Sequence, residues 1–345
     1  MDSCFFIQIP TRRTEVNVVK GIIYKKYGDP EVLEMSELPK PIPGDHEILI
    51  RVRATTVSSA DWRVRSMKLP FGFSSLGRLA FGIRAPKQPI LGTELAGDVE
   101  SVGKAVTSFK IGDQVFAYPG GRMGAYAEYV CMPENGAVAI KPSNLSYEQA
   151  AALSFGGSTM LDFYRRVALR SGERVLVNGA SGAVGTAAVQ LAKHFGAHVT
   201  GVCSTANLQL VLSIGADQVI DYTKQDFTDS GEQYDVIIDT AGTAPFSRSG
   251  SSLSSGGRLL LVLAGLPEML SAPWHTMTSG KKVIAGAAVE HNEYLHQLAE
   301  LAGSGKFLPV IDRSYTFDQM VAAHHYVDKG HKKGNVVITL RPSDG

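Results

Sequence analysis

Val175-Leu176-Val177-Asn178-Gly179-Ala180-Ser181-Gly182-Ala183-Val184-Gly185 is the stretch that decides the fold. It opens as a buried strand, then places glycine at every third position, and an apolar helical pattern leaves the last of them. Small residues at such a turn let the backbone approach a pyrophosphate with no Cβ in the way, and Gly185 lets the helix pack close to the sheet. The first N–H groups of a helix have no partner within it and carry partial positive charge. Gly179, Ala180, Ser181, Gly182, Ala183, Val184 and Gly185 are therefore the expected cradle for the phosphates of a dinucleotide.

The pattern extends in both directions. Downstream, strands at 198–202, 219–221, 234–240, 258–263 and 283–288 alternate with helices at 183–195 and 206–213. Such alternation implies a doubly wound parallel sheet. Upstream, short runs at 19–24, 47–54, 95–101, 113–117 and 125–132 are separated by Gly, Pro and Asp, which suggests a barrel-like β domain. Helices are expected at 146–153 and 159–169. After residue 288 come a helix at 292–301, a strand at 310–315, a helix at 317–328 and an apolar strand at 336–340. That last strand is expected to rejoin the β domain. The division is then 1–150 with 305–345 for the β domain and 151–304 for the nucleotide domain, with a cleft between.

Bulk properties agree with a two-domain globular chain. The 345 residues are 44% hydrophobic and 19% charged, with a net charge of +1. No overall field favours nucleic acid or a membrane surface. Cys4, Cys131 and Cys203 form no C-x-x-C pair, which excludes a disulfide framework and a zinc knuckle and fits a reducing, cytoplasmic setting. No stretch is long and apolar enough to span a bilayer. In the first 18 residues, Arg12-Arg13 follow the apolar Cys4-Phe5-Phe6-Ile7, the wrong order for a secretory signal. A frayed extension is the plainer reading, and a transit segment the alternative.

The choice of dinucleotide rests on the strand after the turn. NAD-binding chains place Asp or Glu at its end to hold the ribose 2′-hydroxyl. Here Val202-Cys203 lead into Ser204 and Thr205, and no acidic residue occurs from 186 to 216. A carboxylate there would repel a 2′-phosphate, so its absence favours NADP. Ser204, Thr205, Asn207, Tyr222 and Lys224 are the expected pocket, although no Arg follows the strand.

Three segments together resemble the medium-chain dehydrogenase/reductase superfamily, and within it the zinc-independent quinone oxidoreductase-like branch. They are Leu91-Gly92-Thr93-Glu94-Leu95-Ala96-Gly97 with Gly112-Asp113-Gln114-Val115, Ala150-Ala151-Ala152-Leu153 through Ser158-Thr159, and the glycine turn with Gly215-Ala216-Asp217 and Ile220-Asp221-Tyr222. The resemblance implies an α/β protein: a GroES-like β-barrel catalytic domain, a Rossmann-type doubly wound parallel sheet domain, and commonly a homodimer. It implies that Thr159 faces the nicotinamide and that Tyr222 packs near the 2′-phosphate. Ala241, Gly242, Val262 and Leu263 would face the cofactor from strand ends, and Lys333-Gly334-Asn335 would close over it. The positions of the superfamily's zinc ligands read Ser58, Thr93 and Phe155, which cannot replace thiolate and imidazole. No metal is expected. Ser58 also stands where quinone reductases commonly carry Asn, and Asp61 is retained in a structural role.

Without zinc to polarise a simple carbonyl, a conjugated acceptor remains: charge spreads to an oxygen that a few hydrogen bonds can hold. Ser58, Tyr118 or a backbone N–H are the candidates to supply them. The expected activity is NADPH-dependent reduction of a small apolar quinone or α,β-unsaturated carbonyl. A low-turnover NADPH-binding adaptor module is one alternative, favoured by Ser58. An enoyl-thioester reductase is another, disfavoured because 62–73 contain no Tyr. The segment 62–92 carries six basic residues among Phe71, Phe73 and Phe81 and no acid. It reads as a solvated loop or dimer contact, or else as a lid over an apolar pocket suited to anionic substrates. The histidines at 291, 296, 324, 325 and 331 match no metal motif and are expected at the surface or at caps. Met269 and Met277 are expected beside a loop.

Overall fold

The computed structural model describes residues 17–289 and 291–340. The N-terminal extension, with Cys4, lies outside the described residues.

The chain begins with β1 (Val18–Tyr24) and β2 (Leu33–Pro39), an antiparallel pair, followed by β3 (Glu47–Thr56). Two short helices come next, α1 (Ser59–Ser66) and α2 (Ser74–Phe81). Strands β4 (Leu95–Val102), β5 (Gln114–Ala117), β6 (Tyr129–Pro133) and β7 (Val138–Ile140) complete the first domain's hairpins. Helices α3 (Tyr147–Ala151) and α4 (Ser154–Val167) lead into β8 (Arg174–Asn178). From there strands and helices alternate: α5 (Ala183–His194), β9 (His198–Cys203), α6 (Leu208–Ser213), β10 (Gln218–Asp221), β11 (Tyr234–Asp239), α7 (Phe246–Ser249) and β12 (Leu253–Leu261). The series continues with α8 (Leu266–Ser279), β13 (Lys282–Ala285), α9 (Asn292–Gly303), β14 (Ile311–Thr316), α10 (Met320–Asp328) and β15 (Asn335–Thr339).

Six of these strands form one parallel sheet in the order β10-β9-β8-β11-β12-β13. The chain starts in the middle, at β8, winds outward through β9 and β10, and returns to wind the other way from β11. The crevice where the order reverses lies between the C-terminal ends of β8 and β11, the place where such sheets bind dinucleotides. Both faces are covered, so its strands are continuous apolar runs: Val175, Leu176, Val177, Val236, Ile237 and Ile238 are fully buried.

The second large sheet has the order β14-β15-β3-β4-β5-β7, with β6 also on β3. Strand β15 pairs antiparallel with β3 through Val337–Thr56, Ile338–Thr55 and Thr339–Ala54. The chain's last described strand thus rejoins the N-terminal GroES-like sheet, and the parallel Rossmann-type sheet is carried between its two halves.

Several elements differ from the sequence reading, for physical reasons. Helix α8 replaces an expected loop that held Met269 and Met277. Pro273 inside it argues against a helix interior, whereas Pro267 sits in its first turn, where proline is tolerated. Helices α1 and α2 have only eight residues each, too short for a periodic signal. Within 62–92 the cations are partly consumed locally: Arg78 donates to the Ile83 carbonyl and Lys87 to the Leu79 carbonyl, closing the end of α2. His324 is not at the surface but fully buried, with Nε2 3.2 Å from the Tyr126 hydroxyl and the two rings edge to face. Burial holds its imidazole well below the ordinary value.

Candidate functional site

The glycine turn has the geometry its sequence demands. Gly179 sits at φ +82°, where a side chain would be strained, and a Cβ on Gly185 would lie 2.0 Å from the Gly179 carbonyl oxygen. Gly182 is the N-cap of α5 with no side-chain cap. A Cβ there would meet only the Gly179 carbonyl oxygen, at 3.6 Å, so the space before the helix is open. The N–H groups of Gly179 and Ala180 are spent on the Val202 carbonyl, which ties the turn to the end of β9.

Around this turn the structure gathers groups that are far apart in sequence. Asn207 Nδ2 donates to Ser181 Oγ at 3.0 Å and to Ser204 Oγ at 3.2 Å. Its Oδ1 is buried with no hydrogen-bond partner among the described residues. On the other side, the Gly334 N–H donates to the Ser181 carbonyl at 2.8 Å and lays the 332–335 segment against the turn. Lys333 itself is exposed, and Asn335 uses its side chain on the Val310 carbonyl. It is Lys332, the preceding residue, that lies inward. Burial lowers its ammonium to about 8, opposed by the Glu94 and Asp312 charges, and it donates to the Gly334 carbonyl at 2.6 Å.

Asp239, at the end of β11, carries no signal in the sequence. Its carboxylate accepts the N–H groups of Ala241, Gly242, Thr243 and Ala244 and is held by Asn178 Nδ2 at 2.9 Å. It therefore fixes the exposed turn that carries Ala241 and Gly242. Asp221 is a second residue that the glycine-turn pattern does not point to. The window 186–216 contains no acid, but β10 pairs with β9 so that Asp221 lies beside Cys203, next to Ser204 and Thr205. Its oxygens accept from Thr205 Oγ1 at 2.5 Å and Thr223 Oγ1 at 2.7 Å, with Lys224 Nζ at 3.7 Å. The Thr205 and Thr223 hydroxyls hold this carboxyl below its ordinary range. Tyr222 beside it is 57% exposed.

Where the two domains face each other there is a cavity of about 430 Å³. Thr93, Tyr118 and Arg63 enter from the first domain, and Thr159, Val184 and Leu263 from the second. Ser158 also lines it, with an Oγ that is buried and unpartnered among the described residues. Thr159 returns its hydroxyl to the Phe155 carbonyl at 2.6 Å. Val262 and Thr240 complete the strand-end wall. The open turn, the orphaned Asn207 and Ser158 oxygens and the apolar strand ends fit a dinucleotide laid from Gly182 into this cavity.

The three positions matching zinc ligands come together here. Ser58 Oγ is 3.1 Å from Thr93 Oγ1, and Thr93 and Phe155 both line the cavity. Ser58 does not line it: it is the N-cap of α1, buried, and its hydroxyl donates to Asp61 Oδ2 at 2.6 Å. In this arrangement Ser58 has no proton left for a substrate; Thr93 lines the cavity, with its own hydroxyl directed at Asp61 Oδ2, 3.4 Å away, and at Ser58 Oγ. Asp61 also accepts from the Gly92 N–H at 3.1 Å, and burial pushes its carboxyl up to about 6, against the hydrogen bonds from Ser58, Gly92 and Thr93. Glu94 beneath it accepts from Thr56 Oγ1 and the Phe155 N–H, and burial raises it to about 7. Among the described residues no three His, Cys, Asp or Glu side chains are grouped so as to hold a metal ion.

Known proteins match along the same lines. Residues 44–142 match the family model described as alcohol dehydrogenase GroES-like domain, and residues 214–338 the one described as zinc-binding dehydrogenase. The second span contains none of Ser58, Thr93 and Phe155. The chain is 32% identical over 336 residues to a chloroplastic quinone-oxidoreductase of Triphysaria versicolor, covering 93% of this chain and 98% of that one. It is 32% identical over 332 residues to 2-methylene-furan-3-one reductase of Solanum lycopersicum, covering 93% and 79%. The quinone oxidoreductase structure from Coxiella burnetii superposes with a TM-score of 0.83 at 28% identity, covering 94% of this chain and all of that one.

Proposed function

Because the chain belongs to the medium-chain dehydrogenase/reductase superfamily, in its quinone oxidoreductase-like branch, we propose that it reduces quinones or α,β-unsaturated carbonyls with NADPH and without zinc. It is an oxidoreductase of the kind that uses a nicotinamide dinucleotide. The observation that carries the reading is the cavity beside the dinucleotide turn, whose three candidate ligand positions are Ser58, Thr93 and Phe155. Those side chains cannot form a zinc site, so the substrate must disperse charge through its own conjugation.

The bound dinucleotide supplies a hydride, that is, a proton with two electrons. The chain's residues do the rest. Val184, Val262 and Leu263 give the cavity apolar walls that exclude water. In an enone the β-carbon receives the hydride and the carbonyl oxygen takes the negative charge, which a positioned donor stabilises far better than water does. The Arg63 guanidinium, which lines the cavity, is one such donor, and Thr93 Oγ1 becomes a second when Asp61 is protonated and donates back through Ser58. Burial lowers the Arg63 value. Thr93, Ser58 and Asp61 form a hydrogen-bonded chain, along which a proton passes to the cavity as the oxygen is neutralised. Asp61, at about 6, is matched to such a transfer near neutral pH.

NADPH is favoured over NADH by the Ser204 hydroxyl and by Lys224, whose charge offsets Asp221. Asp221 has its oxygens occupied by Thr205 and Thr223, so it is less available to a ribose 2′-hydroxyl. The active form is proposed to be a homodimer. In support, β13 ends the parallel sheet among the described residues, and the adjacent α8 exposes Leu270, Trp274 and Met277 at one-turn intervals.

Product analysis tests the proposal. With an enone and NADPH, the product is the saturated ketone, at higher kcat/KM than with NADH. Formation of the allylic alcohol, or equal turnover of a simple saturated aldehyde, would contradict it.

A further inference from the structure

The reaction cavity has an apolar neighbour that the reduction of a small quinone does not require. A second cavity of about 430 Å³ adjoins it, sharing Phe81, Val262, Leu263 and Ala287. Its other walls are Phe73 and Leu76 of the α2 segment and Met269 of α8. Every side chain that lines it is apolar, and the remaining lining positions are glycine. The polar groups, Arg63, Thr93 and Thr159, all belong to the first cavity. One compartment is thus built for an oxygen-bearing head and the next for hydrocarbon.

Helix α2 accounts for the second compartment. Phe73, Leu76, Gly77, Ala80 and Phe81 follow the spacing of one helical face, and that face is the cavity wall. Leu69 fills the space under Gly77, where a Cβ would come within 2.0 Å of its Cδ1. The helix is anchored across the cleft by the Leu266 N–H, which donates to the Phe71 carbonyl at 2.8 Å. Leu76 remains 54% exposed, so a hydrocarbon laid along it would remove apolar surface from water.

Building on the reduction reading, we propose that the second cavity holds the tail of the substrate: a quinone or enone that carries an alkyl or prenyl chain. The conjugated head lies between Thr93 and Thr159, and the chain passes Phe81 to lie between α2 and α8.

A homologous series of 2-n-alkyl-1,4-benzoquinones, methyl to decyl, tests this on the full-length protein. In the wild type kcat/KM rises roughly fourfold per added methylene until the cavity is filled. Ala80→Trp, which fills the cavity from an exposed position on α2, flattens the series and leaves the methyl compound unchanged. Leu76→Asp gives a second, independent flattening. A wild-type series without slope, or a slope that survives both substitutions, overturns the tail site while the reduction reading stands. If no quinone is turned over, the reduction reading fails, and calorimetric binding of the same series to NADPH-loaded protein decides the tail site. Affinity that climbs with chain length in the wild type and not in Ala80→Trp supports it, and flat affinity overturns it.

Discussion

Glu94 and Asp61 are two carboxyls buried under the reaction cavity, and their environment sets a testable pH dependence. Glu94 is raised from 4.5 to about 7 by desolvation, which the hydrogen bonds from Thr56 and Phe155 only partly oppose. Between those values the folded chain keeps a proton that the unfolded chain has released. The stability this group contributes is therefore complete below 4.5 and lost as pH rises through about 7. Glu94→Gln cannot titrate. The thermal midpoint of the wild type relative to this variant should fall as pH is raised across that window, and a constant difference would place the titration elsewhere. Single residues also mark where sequence reasoning stops short. Asp221 lies outside the window in which an acidic ribose partner is expected, and only the β9–β10 register brings it beside Thr205. Lys332 rather than Lys333 faces the site, because a run of two lysines does not tell which one turns inward. Ser58 reads from sequence as facing substrate, but Asp61 three residues on captures its hydroxyl in a capping box, a local motif that the spacing S-x-x-D can disclose.

At the scale of elements, the strand–turn–helix from Arg174 to His194 is legible because each part has a distinct signal: a continuous apolar run, glycines at close approaches, and helical periodicity. Strand β2 and helices α1, α2 and α8 are not. Strand β2 is mostly exposed, and the alternation of Leu33 and Met35 with Glu34 and Ser36 breaks at Glu37-Leu38, so it is too short a signal, and α8 carries a proline in its interior. Much of the candidate site lies on those illegible parts, since α1 brings Arg63 and α2 brings Phe81. The legible turn makes the cleaner prediction. Gly182 has φ −78° and open space where a side chain would point, so Gly182→Val fits the unliganded backbone without strain. It should fold with a thermal midpoint lowered by no more than a few degrees, since valine is a poorer N-cap than glycine, and lose NADPH affinity by at least about tenfold, the cost of roughly one charge-assisted hydrogen bond to phosphate. Unaltered affinity in titration calorimetry would remove the phosphates from this turn.

For the molecule as a whole, the order of elements discloses the two domains and the return of the last strand, which β15 on β3 realises. Quaternary structure is not legible, because the surface that argues for it depends on α8. With Trp274 66% and Met277 81% exposed on α8, which packs against β13, the proposed homodimer buries both. Trp274→Glu should shift the mass measured by light scattering from dimer to monomer, and a wild-type monomer at the same concentration would refute the assignment. No helix among the described residues is long and apolar enough to cross a membrane.

Reduction in the inter-domain cavity, as proposed, depends on conjugation and on Arg63 and Thr93, with Ser58, Thr93 and Phe155 leaving no zinc site. The most direct test is quinone turnover by one protein preparation before and after exhaustive chelation, with zinc content measured by mass spectrometry on the same samples. Zinc-free protein should show the same kcat per chain, with no gain on adding zinc. Activity that disappears with the metal and returns on adding zinc would contradict it.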